Sequence, residues 1–158
     1  RGTFLDASTE DWNLTLTVNL RGVFLAGQRA ARQMVRQGSG GVIVNCASQA
    51  ASSYVRGLAP HYQASKAGVV QLTKVMAVEL GPLGIRVNAI APSLVVTEKL
   101  RERWESDPAL REYHLSKSAL GRPCTLDDIT GPAIFLASDE SGFITGQTLY
   151  VDGGFTIQ

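Results

Sequence analysis

"GVIVNCA", residues 41–47, is a short apolar run rich in β-branched residues and free of polar alternation. A strand with one wet face alternates apolar and polar residues; one without alternation is buried on both faces, as in a parallel sheet. The stretch therefore predicts a parallel strand. "IRVNAIA" at 85–91 repeats the signal, and "GQTLYVDGG" supplies a third strand at 147–151. Helical patterns fill the intervals. Ser8 stands as N-cap with Asp11 three later, opening a helix over 9–37 that the glycines at 38–41 end. Pro60 suits a first helical turn, and the helix runs to about Leu80. Its apolar residues cover more than one stripe, so it faces the sheet and a further surface such as a second subunit. Thr125 with Asp128 opens a helix over 126–137. Residues 1–7 read as irregular, 48–59 as a loop, and 92–120 as a long mixed segment, helical around "TEKLRERWESD".

Helices alternating with strands specify an α/β fold with a parallel sheet. Three strands are few for such a sheet, and an open β-branched edge favours association. The chain is therefore expected to be part of a domain or to need another surface. Its 158 residues suit one domain, and 44% apolar residues suffice for a core. A formal charge of +1 without a basic block gives no reason to propose nucleic acid. No apolar run reaches the ~18 residues of a membrane span, and no membrane partner is expected. Cys46 and Cys124 are isolated thiols, which fits a reducing, cytoplasmic setting. With His61 and His114 they show no metal-ligand spacing, so no metal is expected.

Chemistry concentrates near residue 60. Tyr62 and Lys66 stand four apart at the start of a helix, on one face. An ammonium ~4 Å from a phenolate at an effective dielectric of ~20 gains roughly 4 kcal/mol and lowers the phenol's pKa by about three units at most. The same spacing also suits an ordinary surface pair. Ser48 follows the strand at 41–47, at its carboxyl end, where open α/β sheets bind ligands. It can donate to a substrate oxygen or simply cap a turn; Ser52 and Ser53 compete in the same loop. Asn19 and Gly22 weaken a helix that is otherwise apolar there, which marks either a kink that holds a water or a surface position.

Taken in order, "TVNLRGVF", "IVNCAS", "YQASK", "RVNAIAPSLVVT" and "FLASDESGFITGQTLYVDGG" resemble the carboxyl-terminal part of a short-chain dehydrogenase/reductase. The resemblance covers nearly the whole chain. It implies a partial Rossmann-like doubly wound sheet whose strands are equivalent to the family's 5-6-7. Residues 1–158 would then be the carboxyl-terminal part of a single NAD(P)-binding catalytic domain.

It implies Tyr62 as catalytic acid/base and Lys66 as the group that lowers its pKa and holds the nicotinamide ribose. Ser48 would orient the substrate oxygen, and Asn19 would hold a water that links Lys66 to solvent. Pro92, Val95 and Thr97 match the stretch that contacts the nicotinamide, and 98–118 the lid over the substrate. The implied activity is NAD(P)-dependent interconversion of a secondary alcohol and a ketone, in a homo-oligomer, dimer or tetramer. Three positions depart from the family's pattern: Ser93 replaces a glycine, Ala47 replaces the first serine, and Ser48 stands fourteen before Tyr62, one more than is common.

The family's first four strands, with their glycine-rich pyrophosphate turn and the residues that choose NAD or NADP, have no counterpart here, so the choice is open. "GSGG" at 38–41 and "GG" at 153–154 do not fit that fingerprint. By itself the chain is expected to bind dinucleotide weakly. Two other readings are a non-catalytic scaffold or dinucleotide-binding protein on the same fold, and serine hydrolysis through Ser48; the second lacks a nucleophile elbow.

Overall fold

The computed structural model describes residues 3–158; positions 1 and 2 of the expected irregular segment lie outside the described residues. Helix α1 (Thr9–Leu16) is capped by Ser8, whose hydroxyl accepts from the Asp11 amide at 3.0 Å. The helix expected over 9–37 is not continuous. A π-helical turn, Thr17–Arg21, separates α1 from α2 (Gly22–Gln37), and the Gly22 amide reaches back five residues to the Thr17 carbonyl. The turn contains Asn19, so the kink expected at Asn19 and Gly22 takes the form of one wide turn.

Strand β1 (Gly41–Cys46) leads to helix α3 (Pro60–Leu80), with Pro60 in its first turn, and then to β2 (Ile85–Pro92). The mixed segment resolves into α4 (Glu98–Ser106) and α5 (Pro108–Ser116), with Asp107 ending one and capping the other. Helix α6 (Leu126–Ala137) starts on a complete capping box between Thr125 and Asp128, as the sequence predicts. Asp128 also pairs with the Arg122 guanidinium, which with the Thr125 bonds holds its carboxyl well below the usual carboxylate range. Strand β3 (Thr148–Val151) completes a parallel sheet of order β1-β2-β3.

The central strand β2 is buried along most of its length, whereas β1 has only Asn45 fully buried. Burial on both faces was expected of β1. It falls short because β1 has a neighbour on one side only.

Ala77, Ile85 and Val87 form one core cluster, with Met34, Met76 and Leu80 against it; Val69, Ala47, Ala89 and Ala91 form another. Helix α6 touches all three strands. The connection from α6 to β3 is fastened by polar groups of β2. The Arg86 guanidinium donates to the Leu136, Ser138 and Ile144 carbonyls and to the Ser141 hydroxyl. The fully buried Asn88 donates to the Ile144 carbonyl at 2.8 Å and accepts from the Gln147 amide at 3.0 Å. Among the described residues no helix is long and apolar enough to cross a membrane.

Removing the Asn88 amide orphans two backbone groups in the interior. Asn88→Ala is expected to lower unfolding stability by about 2 kcal/mol or more, read from the urea midpoint at unchanged slope.

Candidate active site

The candidate residues gather at the carboxyl ends of β1 and β2. Those ends are in register, Cys46 opposite Ile90, and the ladder runs one step further as the Ala47 amide donates to the Ile90 carbonyl. Ser48 comes next and is buried. It caps a short 3₁₀ turn, Gln49–Ala51, by accepting from the Ala50 amide at 3.2 Å. Its hydroxyl proton remains free to donate. Ser52 and Ser53 do not compete for the site, because both hydroxyls donate to the Gln49 carbonyl. Ser48 is thus the cap that the plain reading expected and also a hydroxyl that acts on the Tyr62 phenol.

Tyr62 lies in the first turn of α3 and packs, half-buried, against the cluster of Ala50, Val55 and Phe155. The Lys66 ammonium stands 5.8 Å from its ring centroid and donates to the Cys46 carbonyl at 2.9 Å. That bond ties α3 to the end of β1 and leaves two ammonium protons for other acceptors.

The expected lowering of the Tyr62 pKa by Lys66 is not what this structure shows. Burial pushes the phenol above its ordinary value, the Ser48 hydroxyl pulls it back in part, and Cys46 adds to the rise. The Lys66 ammonium is bonded to the Cys46 carbonyl, and burial is the largest influence on the phenol.

Asn19 reaches the site indirectly. Its amide donates to the Ser65 hydroxyl at 3.1 Å, and Ser65 donates to the Tyr62 carbonyl at 2.7 Å. The wide turn around Asn19 is thereby bonded to the first turns of α3, and a side chain at Gly68 would strike Leu20 of that turn. Ser65, fully buried, is a positioning residue that the sequence reading missed; its place three residues after Tyr62 on the helix was the available signal.

Pro92 ends β2, opposite Val151. Val95 forms an isolated parallel bridge with Cys124, and the Thr97 hydroxyl caps α4 by accepting from the Leu100 amide at 3.3 Å. All three lie at or just after the carboxyl end of β2. The donor set of Tyr62 and Lys66 suits the hydroxyls of a ribose, and the loop after β2 offers backbone groups for a flat polar ring. The glycines at 38–41 do different work: Gly38 ends α2 in a left-handed conformation, and Gly40 passes so close to the Gly84 carbonyl that no side chain fits.

Residues of α4 and α5 also reach this end. A side chain at Gly57 would meet Arg103 of α4 and Leu110 of α5, the Arg56 guanidinium stands 5.8 Å over the Tyr113 ring, and His114 faces Phe155. Burial, with the charge of Arg103, lowers the His114 pKa, so the imidazole is neutral at neutral pH.

The family described as Enoyl-(Acyl carrier protein) reductase matches residues 1–156. L-xylulose reductase of Bos taurus is 43% identical over 154 residues, covering 96% of this chain and 62% of that protein. A gluconate 5-dehydrogenase from Burkholderia cenocepacia J2315, solved in complex with NADP and tartrate, superposes with a TM-score of 0.91 at 37% identity, over 100% of this chain and 61% of that one. A short chain dehydrogenase from Leptospira borgpetersenii with bound NAD+ gives a TM-score of 0.90 at 33% identity, over 98% and 60%. The chain therefore spans about three-fifths of the length of these relatives.

Because Ser48 stabilises the Tyr62 phenolate, Ser48→Ala should move the phenol further up. Phenolate absorbance, taken as the difference between each protein and its Tyr62→Phe counterpart, should rise above pH 10 in the parent and at still higher pH in the variant. The raised phenol pKa also makes stability depend on pH. A folded pKa above the unfolded one contributes stability fully present below the unfolded value and lost as pH climbs through the folded one.

Proposed function

The chain belongs to the short-chain dehydrogenase/reductase family, and from that premise we propose that the protein is an NAD(P)-dependent oxidoreductase interconverting a secondary alcohol and a ketone. The observation that carries this reading is the meeting of Ser48, Tyr62 and Lys66 at the carboxyl end of β1, with Lys66 bonded to the Cys46 carbonyl. The NADP and NAD+ bound by the two structural relatives support either dinucleotide as cofactor.

When bound, the nicotinamide supplies hydride exchange with the substrate carbon. Lys66 and Tyr62 would hold its ribose, and the stretch through Pro92, Val95 and Thr97 would border its ring. Ser48 donates to the substrate oxygen, and the Tyr62 hydroxyl gives a proton to a ketone or takes one from an alcohol. Burial keeps the resting phenol protonated, ready to donate. Lys66 would pass a proton on to it, and a water held at the Asn19 side chain, whose amide is fixed on Ser65, would link Lys66 to solvent.

We assign the outer face of α2 and α3 to contact between copies in a homo-oligomer. Phe24, Val35, Val75 and Val78 are exposed there, the first three along a groove of about 450 Å³. The two free thiols suit a reducing, cytoplasmic setting.

Tyr62→Phe in the complete natural protein should reduce kcat by at least about a hundredfold with an unchanged circular dichroism spectrum. Turnover within a few-fold of the parent would remove Tyr62 from the reaction.

A further inference from the structure

Of the helices and strands among the described residues, α4 and α5 make extended backbone contact only with each other. Their place beside the site therefore comes from contacts with other parts of the chain. One is the ring of His114, 6.5 Å from that of Phe155. A second set gathers on residues 55–58, in the loop before α3.

These four residues form a closed turn. The Leu58 amide donates to the Val55 carbonyl at 3.3 Å, and Gly57, third of the four, takes a left-handed conformation at φ 81° that favours glycine there. The two other groups at the ends of the turn, the Val55 N–H and the Leu58 C=O, are both taken up by one side chain. The Gln63 carboxamide accepts from the Val55 amide at 3.0 Å and donates to the Leu58 carbonyl at 3.0 Å. Gln63 directly follows Tyr62 in α3, and its own amide is bonded to the Ala59 carbonyl. The root of the turn is buried: Val55 is 1% exposed and packs with Ala50 and Phe155 in the cluster that Tyr62 borders. The tip meets both outer helices. The Arg56 guanidinium stands 5.8 Å over the Tyr113 ring of α5, an attractive placement of a cation on a π face. A Cβ at Gly57 would lie 3.4 Å from Arg103 Nη2 of α4 and 3.8 Å from Leu110 Cδ1 of α5.

We propose that Gln63 is a positioning residue: by spanning the turn at 55–58 it fixes the seat on which α4 and α5 rest, and so sets their distance from Tyr62. A primary amide suits this task because it carries an acceptor and a donor side by side. Gln63→Met keeps the length and has neither, which leaves the buried Val55 N–H unpaired. The turn then loosens at its root, and both helices loosen with it. The seating itself depends on no functional reading. Its consequence for turnover rests on the reading of Tyr62 as the reacting group, with α4 and α5 bordering the substrate.

Hydrogen exchange of the complete natural protein tests the seat. Amides of α4 and α5 should exchange at least about tenfold faster in Gln63→Met, with those of β2 and the later turns of α3 unchanged. Arg56→Ala, at an exposed position, should speed exchange in α5, and it keeps the seat testable if Gln63→Met does not fold. Both changes act on one turn, so together they should give less than the product of their separate factors. Parent-like exchange of α4 and α5 in both variants, a full product in the double variant, or acceleration spread evenly over β2 and α3 overturns the inference. Turnover of pentan-2-ol or a pentitol, with NAD+ or NADP+, gives the second readout. Gln63→Met should raise the KM of the alcohol about tenfold and leave kcat within about threefold. A fall in kcat at unchanged KM would put Gln63 in the chemistry instead and overturn the inference. No turnover of either alcohol by the parent would overturn the oxidoreductase reading, and the exchange result would still decide the seat.

Discussion

Helix α3 meets the sheet along one line of residues four apart, His61, Ser65, Val69, Thr73 and Ala77, and everything at the candidate site depends on that seam. The three central members are completely buried. An unpaired buried donor or acceptor costs about 1–3 kcal/mol, and the two hydroxyls at the middle of the seam are both paired. Thr73 donates to the Val69 carbonyl and accepts from Asn45 of β1; Ser65 donates to the Tyr62 carbonyl and accepts from Asn19. The seam is therefore specified in rotation and in height, and these set where Tyr62 and Lys66 stand. A slip by one residue would expose Ser65 and Thr73 and turn Lys66 away from the Cys46 carbonyl.

The π turn before α2 belongs to the same arrangement. An uninterrupted helix from 9 to 37 would carry Asn19 at a different angle to α3. One extra residue in the turn lets Asn19 reach Ser65 while Leu20 packs into the space that Gly68 leaves open. Such insertions are costly to the helical ladder and recur at functional sites. Here the wide turn exchanges regular hydrogen bonding for a bond between two helices.

Electrostatics at the site run against the simplest expectation. Four-residue spacing brings an ammonium and a phenol to one helical face, yet the Lys66 charge is directed at a carbonyl of β1, and burial dominates at Tyr62. The arrangement keeps the phenol neutral and fixes the ammonium as a structural tie with protons to spare. Ser48 is the neighbour that favours the phenolate, so the serine bears on the acid as well as on any substrate oxygen.

The order of helices and strands, the limits of α3 and α6, the Thr125 capping box and the three-stranded parallel sheet were all legible in the chain. Periodicity, proline placement and capping are local signals, carried by residues near in sequence. So was the ordered set of Asn19, Ser48, Tyr62 and Lys66, since each stands in a short stretch with its own pattern. Other features were settled by residues distant in sequence. Arg86 and Asn88 find their partners in the backbone of 136–147, which only the fold brings beside them. Ser65 gained its role from a helix 46 positions away, and the phenol's pKa rose through burial that only packing creates. Local pattern determined which elements form and which residue types reach the strand ends. Tertiary structure alone decided which polar atoms find partners, because desolvation and hydrogen bonding depend on what the fold brings within about 3 Å.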